Sequence, residues 1–137
     1  MTIYLAARYS RRAELVAYRA LLEALGHTVT SRWLHGNHQI DDDGLEGDGT
    51  RAERERFAQE DYEDVCRAEL LIAFTEPPRT GPTRGGRHVE FGIAIALEKR
   101  VLVVGPRENG IYCLPWVAVY ATAAEAFRTL APAPKAA

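Results

Sequence analysis

Two patterns of hydrophobicity alternate along this chain: short unbroken apolar runs, and longer stretches in which apolar residues return every three or four positions. Residues 2–7 (TIYLAA) are the first apolar run and predict a strand. Beyond Arg8-Tyr9-Ser10, the residues Leu15, Ala17, Tyr18, Leu21, Leu22 and Leu25 recur at helical spacing, with Ser10 as the expected N-cap, Glu14 in the following turn and Gly26 as the stop. His27 to Leu34 (HTVTSRWL) alternates as a second strand would, and 36–49 is a polar, Gly- and Asp-rich stretch without periodicity, hence a long loop that is either disordered or a functional lid. From Thr50 the period turns helical again through RAERERFAQEDYEDVCRAE, and LLIAF at 70–74 has the continuous apolar character of a buried parallel strand.

A loop with three prolines and three glycines over 75–87 precedes a helix over 88–99, in which Val89, Ile93, Ala94 and Leu97 share a face. VLVVG at 101–105 and WVAVY at 116–120 predict the last two strands, 122–130 a last helix, and 132–137 a flexible tail. Strands alternating with helices imply right-handed crossovers and a sheet covered on both faces. The expected fold is therefore α/β: a small doubly wound, Rossmann-like three-layer sandwich with a mostly parallel five-stranded sheet, in one domain over 1–131. Ligands of such sheets bind at the carboxyl ends of the strands.

Composition narrows the function. A chain of 137 residues, 47% hydrophobic, builds one core of ordinary size. A net charge of −2 excludes a general polyanion binder, so a nucleic acid polymer is not an expected partner and any phosphate contact is local. No apolar run approaches the roughly 18 residues that span a bilayer, and the amino terminus enters a strand without a basic, apolar leader, so the expectation is a cytoplasmic protein without membrane contact. Cys66 and Cys113 lack metal or redox spacing and read as ordinary thiols. His35 and His38, followed by Asp41, Asp42 and Asp43, lack a rigid scaffold and a defined fourth ligand, so neither a metal nor a cofactor is expected.

The candidate chemistry lies just after the strands. Arg8, Ser10, Arg11 and Arg12 place a hydroxyl and guanidinium groups at a helix amino end, an anion site in outline. The alternative is a capping serine with solvated arginines, but arginines there oppose the helix dipole unless an anion is bound. Gly85-Gly86 lets backbone approach a ligand, with Arg87 beside it, and Glu90 falls in the first turn of the next helix. An isolated Glu there is explained by the helix dipole. Gly92, which costs about 1 kcal/mol inside a helix, points instead to tight packing or close approach beside Glu90. Trp33, at a strand end, is either a stacking platform for a base or core.

IYLAARYS at 3–10, the Asp61 to Phe74 segment and GGRHVEFGIAIALEKRVLVV at 85–104 together resemble the nucleoside 2-deoxyribosyltransferase superfamily, which includes nucleoside 5′-monophosphate N-glycosidases. The marks are Tyr4, Asp61 with Glu69 eight residues on, and Gly86 with Glu90 and Gly92. The resemblance implies Glu90 as nucleophile or cation-stabilising carboxylate, Asp61 as the acid on the leaving-group side and Tyr4 as the residue orienting Glu90. Without it, Asp61 would read as one more exposed charge on a solvated helix face. Ala7-Arg8 departs from the usual Gly with Pro or Ser, and the loop before Glu90 is longer and more basic than usual. Arg79, Arg84 and Arg87 with the Ser10 corner favour a nucleoside monophosphate over a free nucleoside. The expected activity is hydrolysis to free base and sugar phosphate, the alternatives being base exchange or nucleotide binding without turnover. The resemblance also implies a homodimer or larger homo-oligomer, in which Tyr112, Trp116 or Tyr120 completes a neighbour's site or buries a subunit contact.

Overall fold

A computed structural model describes residues 1–36, 48–78 and 85–130, with backbone alone at 48–50. Five strands, β1 (Thr2–Ala6), β2 (Thr28–Val29), β3 (Leu70–Phe74), β4 (Arg100–Val104) and β5 (Ala118–Tyr120), form one sheet in the order β2-β1-β3-β4-β5. Every pairing is parallel, so the sheet is wholly rather than mostly parallel. All five residues of LLIAF are buried, as the unbroken apolar run requires of a central strand covered on both faces. The helices are α1 (Arg12–Ala24), α2 (Asp48–Arg67), α3 (Gly86–Ala96) and α4 (Ala123–Arg128). No helix among the described residues is long and apolar enough to cross a membrane.

Alternation along the strands sorts the side chains between two layers. Phe74 of β3 stacks on Tyr18 of α1, with centroids 5.3 Å apart, and Tyr18 meets Phe127 of α4 edge-on at 5.5 Å, so α1 and α4 share one face. Tyr4 pairs in register with Leu71, which has the opposite parity to Phe74, and therefore faces the other layer. There α2 and α3 pack on one another and on β1. This arrangement aims one strand residue and two helices at a common point.

Several boundaries differ from the sequence expectation for identifiable reasons. The second strand stops at Val29 and the chain turns into a 3-10 helix at Arg32–His35, because Trp33 and Leu34 are both buried, which strict alternation cannot achieve. Ser31 ends the pairing: its Oγ accepts the Leu5 N–H at 2.8 Å. Ser10 does not cap α1. It lies exposed in a 3-10 turn, Tyr9–Arg11, and the N-cap position falls on Arg11 without a side-chain cap. Gly26 does stop α1, at φ +92, a left-handed conformation that glycine adopts without strain. α3 begins at Gly86, two residues earlier than the apolar spacing indicates. Gly105 closes β4 at φ +117, where a Cβ would lie 2.6 Å from Thr75 Oγ1, so the ends of β3 and β4 approach closely. Residues 37–47 of the expected loop and the expected tail lie outside the described residues, and α2 opens earlier, at Asp48.

Candidate active site

Three elements deliver Tyr4, Asp61 and Glu90 to one place. Tyr4 sits in the middle of β1 with no exposed surface, Asp61 comes from α2, and Glu90 is the fifth residue of α3. Glu90 thus lies in the second turn, not the first. The helix dipole acts within the first turn, so it does not account for a carboxylate here. Gly92 does not reflect tight packing, because a Cβ at that position would meet nothing within 4 Å.

The charge of Asp61 acts on both Glu90 and Tyr4. Burial, and after it the charge of Asp61, push Glu90 from its ordinary 4.5 to about 8, while the Tyr4 hydroxyl opposes the rise. By surface area Glu90 is only half-buried, yet the protein packed around its carboxylate makes desolvation the largest influence on it. Asp61 is raised from 3.8 to about 7, first by burial and then by Asp64 and Glu60, with Arg32 pulling the other way. Tyr4 is held well above the usual tyrosine range by burial and by Glu90 and Asp61. Its hydroxyl lies near enough to Glu90 to favour the carboxylate, but no hydrogen bond of ordinary geometry joins them, and Tyr4 Oη is a buried polar atom without a hydrogen-bond partner. Both carboxyls are thus raised into the neutral range, Glu90 further by the charge of Asp61, the arrangement in which two neighbouring carboxyls share a proton.

Behind the pair stand two ionic clusters that the sequence reading did not identify. Asp64, fully buried one helical turn after Asp61, accepts the Arg32 backbone N–H at 2.8 Å, Arg32 Nε at 2.8 Å and an Arg67 guanidinium N–H. On the other side, Arg87 donates to both Glu108 oxygens, at 2.5 and 2.6 Å, and Glu108 also accepts the Glu76 N–H at 2.8 Å. His88 Nδ1 lies 2.7 Å from the Tyr112 hydroxyl and its Nε2 3.4 Å from Glu108. Burial alone would raise Glu108, but the Arg87 and Glu76 hydrogen bonds hold it below the usual carboxylate range. Nothing in PRENG at 106–110 marked Glu108, whose partners are distant in sequence. The three-residue spacing of Asp61 and Asp64 was visible, but it lay among many other charges.

The expected anion corner is partly dissolved. Arg11 is engaged by Glu14 at 2.7 Å and Glu76 at 3.3 Å and lies over Phe74, with 5.6 Å to the ring centroid. Arg87 is 4% exposed and committed to Glu108. Arg12 is different: its guanidinium packs against Gly36 with no hydrogen bond or ion pair among the described residues, and its Nε is buried. Arg8 is half-buried and Ser10 exposed, while Gly86 is exposed with open space at its Cα. Gly85 takes φ +75 at the start of α3. Arg79, Arg84, His38 and Asp41 to Asp43 lie outside the described residues.

Trp33 is core rather than a platform for a base. It is 5% exposed and donates its indole N–H to the Leu5 carbonyl at 2.9 Å. Tyr112 is fully buried in its own chain, packing on Phe91 with ring centroids 4.5 Å apart, and so is not a surface residue awaiting a neighbour. Trp116 is 67% exposed and Tyr120 half-buried.

A parallel α/β sheet in this strand order, with two carboxyls and a tyrosine gathered beside β1, defines a Rossmann-like protein. The chain belongs to the nucleoside 2-deoxyribosyltransferase family, whose sequence model matches residues 3–114, and is thereby placed among enzymes. Solved structures of like fold include the CMP N-glycosidase BcmB of Clostridium botulinum, at 22% identity and TM-score 0.58 over 95% of this chain and 98% of that one. A 2-deoxyribosyltransferase of Bacillus psychrosaccharolyticus matches at 19% identity and TM-score 0.68 over 99% and 100% of the two chains. One from Leishmania mexicana matches at 17% and 0.64 over 95% and 96%. A sequence search of curated proteins finds no match.

Proposed function

We propose that this protein hydrolyses the N-glycosidic bond of a nucleoside 5′-monophosphate, releasing the free base and a sugar phosphate. The observation that carries the reading is the convergence of Tyr4, Asp61 and Glu90, with both carboxyls raised into the neutral range. Cleavage of this bond develops positive charge at the anomeric carbon and negative charge on the departing base. A cation forming beside Glu90 favours its anionic form, so the shared proton resides on Asp61, from which it passes to the base. Glu90 either bonds to the anomeric carbon as the base leaves, and is released when water attacks that carbon, or stabilises the cation until water attacks; in both cases the water proton passes to the Asp61 carboxylate and restores the pair. Tyr4 favours the carboxylate form of Glu90 during this sequence.

Preference for a monophosphate is supported by Arg12, whose guanidinium has no hydrogen-bond or ion-pair partner among the described residues, next to Arg8 and Ser10. Arg11 and Arg87, held by internal carboxylates, leave this role. Base exchange is the second reading, since an acceptor base in place of water uses the same three residues, and relatives of like fold include enzymes of both kinds. We further propose a cytoplasmic protein that self-associates through exposed apolar residues such as Val89 and Trp116, which sedimentation tests. The activity is tested by following base release from ribo- and deoxyribonucleoside monophosphates and the matching nucleosides, with and without a second base. Release that disappears in Glu90→Ala supports the hydrolase, and exchange that requires the acceptor base supports the transferase. Tight binding without release or exchange leaves a nucleotide-binding protein.

A further inference from the structure

Among the described residues, one fully buried acidic side chain is not used by the proposed chemistry. Asp64 has no exposed surface, and both of its oxygens are occupied: Oδ2 by the Arg32 backbone N–H, Oδ1 by Arg32 Nε and Arg67. A carboxylate that deep is retained only where it is paired and hydrogen-bonded. The pairing is lopsided in space. Arg32 and Arg67 keep much of their own surface in solvent, with side chains 34% and 57% exposed, so water weakens their positive field while Asp64 remains dry. On the inner side, Asp61 lies one turn earlier on the same helix, and α2 packs against β1, which carries Tyr4, and α3, which carries Glu90. The charges facing Asp61 are Asp64 and Glu60 from its own helix, Arg32 from the adjoining 3-10 turn and Glu90 from α3.

We propose that Asp64 is a positioning residue of the candidate site, a fixed buried negative charge that keeps a proton on the Asp61–Glu90 pair, with Arg32 as its counterweight. The function of this device rests on the reading of the pair as an acid and a nucleophile. Its electrostatic action does not. The directions agree with the geometry: Asp64 raises Asp61, Glu90 and Tyr4 alike, and Arg32 lowers Asp61. A like charge in a dry setting disfavours ionisation of its neighbours, and an exposed opposite charge only partly offsets it.

The test is a pH titration of the side-chain carboxyl carbons of Asp61 and Glu90 by NMR in the intact protein, which requires no substrate. Asp64→Asn should move the midpoints of the pair to lower pH by about one pH unit. Arg32→Gln should move the Asp61 midpoint to higher pH, and Arg32→Lys, which keeps the charge, should leave it near the wild-type position. Opposite shifts in D64N and R32Q support the assignment. Unmoved midpoints, or shifts of one sign in both, would overturn it and reduce Asp64 to a structural pin. Should D64N fail to fold, Arg67→Gln decides: it strips a cation from Asp64 Oδ1 without removing a charge that faces Asp61, so the Asp61 midpoint should rise, and an unmoved midpoint would overturn the assignment. If the protein also turns over a nucleotide, the pH–rate profile should follow the midpoints. Opposite shifts in a protein without turnover would contradict the enzyme reading while leaving the role of Asp64 intact.

Discussion

Removing Glu108 should cost this protein a large part of its stability. Arg87 is buried to a side-chain exposure of 3% and Glu108 to 11%, and the pair is bidentate. In Glu108→Ala the guanidinium would stay in place with its Nε, already without a partner, joined by two more unpaired groups. The Glu76 N–H loses its acceptor as well. Stranding one member of a buried ion pair costs about 3–5 kcal/mol, and an orphaned buried N–H adds roughly 1–3. Against a typical domain stability of about 5–15 kcal/mol, this is a severe loss. Replacing both partners by apolar side chains, as in R87M/E108L, strands no charge and should recover most of it. Urea unfolding followed by far-UV circular dichroism measures the difference. With a slope of about 2 kcal/mol per molar urea, the midpoint of E108A should fall by roughly 1.5 M or more, and that of the double variant by much less. A loss below about 1 kcal/mol in E108A, or a double variant worse than the single, would show that no buried charge is stranded when Glu108 is removed.

Other expectations follow from the same geometry. Tyr4→Phe should leave stability within about 1 kcal/mol, because the lost hydroxyl has no hydrogen-bond partner, and should move the acid limb of any pH–rate profile to higher pH, because that hydroxyl opposes the rise of Glu90. Glu90 is raised on folding from 4.5 to about 8, so its contribution to stability is fully present below about pH 4.5 and is lost as pH rises through about 8. Glu90→Gln should therefore gain on the wild type across that window, by an amount on the order of a few kcal/mol at its upper end; a difference independent of pH would be inconsistent with a buried, titrating carboxyl. Gly105→Ala should destabilise by about 1–3 kcal/mol, since the residue sits at φ +117 with a Cβ position 2.6 Å from Thr75 Oγ1, and a neutral effect on the melting temperature would contradict that contact.

The strands and helices were legible because burial on both faces leaves unbroken apolar runs, as in LLIAF, and one-sided burial leaves helical spacing, as in Leu15 and Leu22. Where the pattern misled, a polar side chain replaced a backbone partner: Ser31 binds the Leu5 N–H and lets Trp33 and Leu34 turn inward together. The candidate acid pair is legible only through family resemblance, since Asp61 in a helix of charges carries no local mark of its burial. Arginine roles were the least legible. Arg11 and Arg87 follow strands as phosphate ligands would, but the carboxylates that hold them include Glu76 and Glu108, at separations of 65 and 21 residues, which no local pattern displays.

Glu90 and Asp61 are proposed to act on a glycosidic bond. The most direct test is single-turnover base release from the nucleoside monophosphate panel by wild type, Glu90→Ala and Asp61→Asn, each first shown to be folded and to retain nucleotide binding. Release by the wild type, reduced at least about a thousandfold in E90A and substantially in D61N while binding persists, is the expected result. Release that continues unchanged in E90A would show that Glu90 is not the catalytic carboxylate.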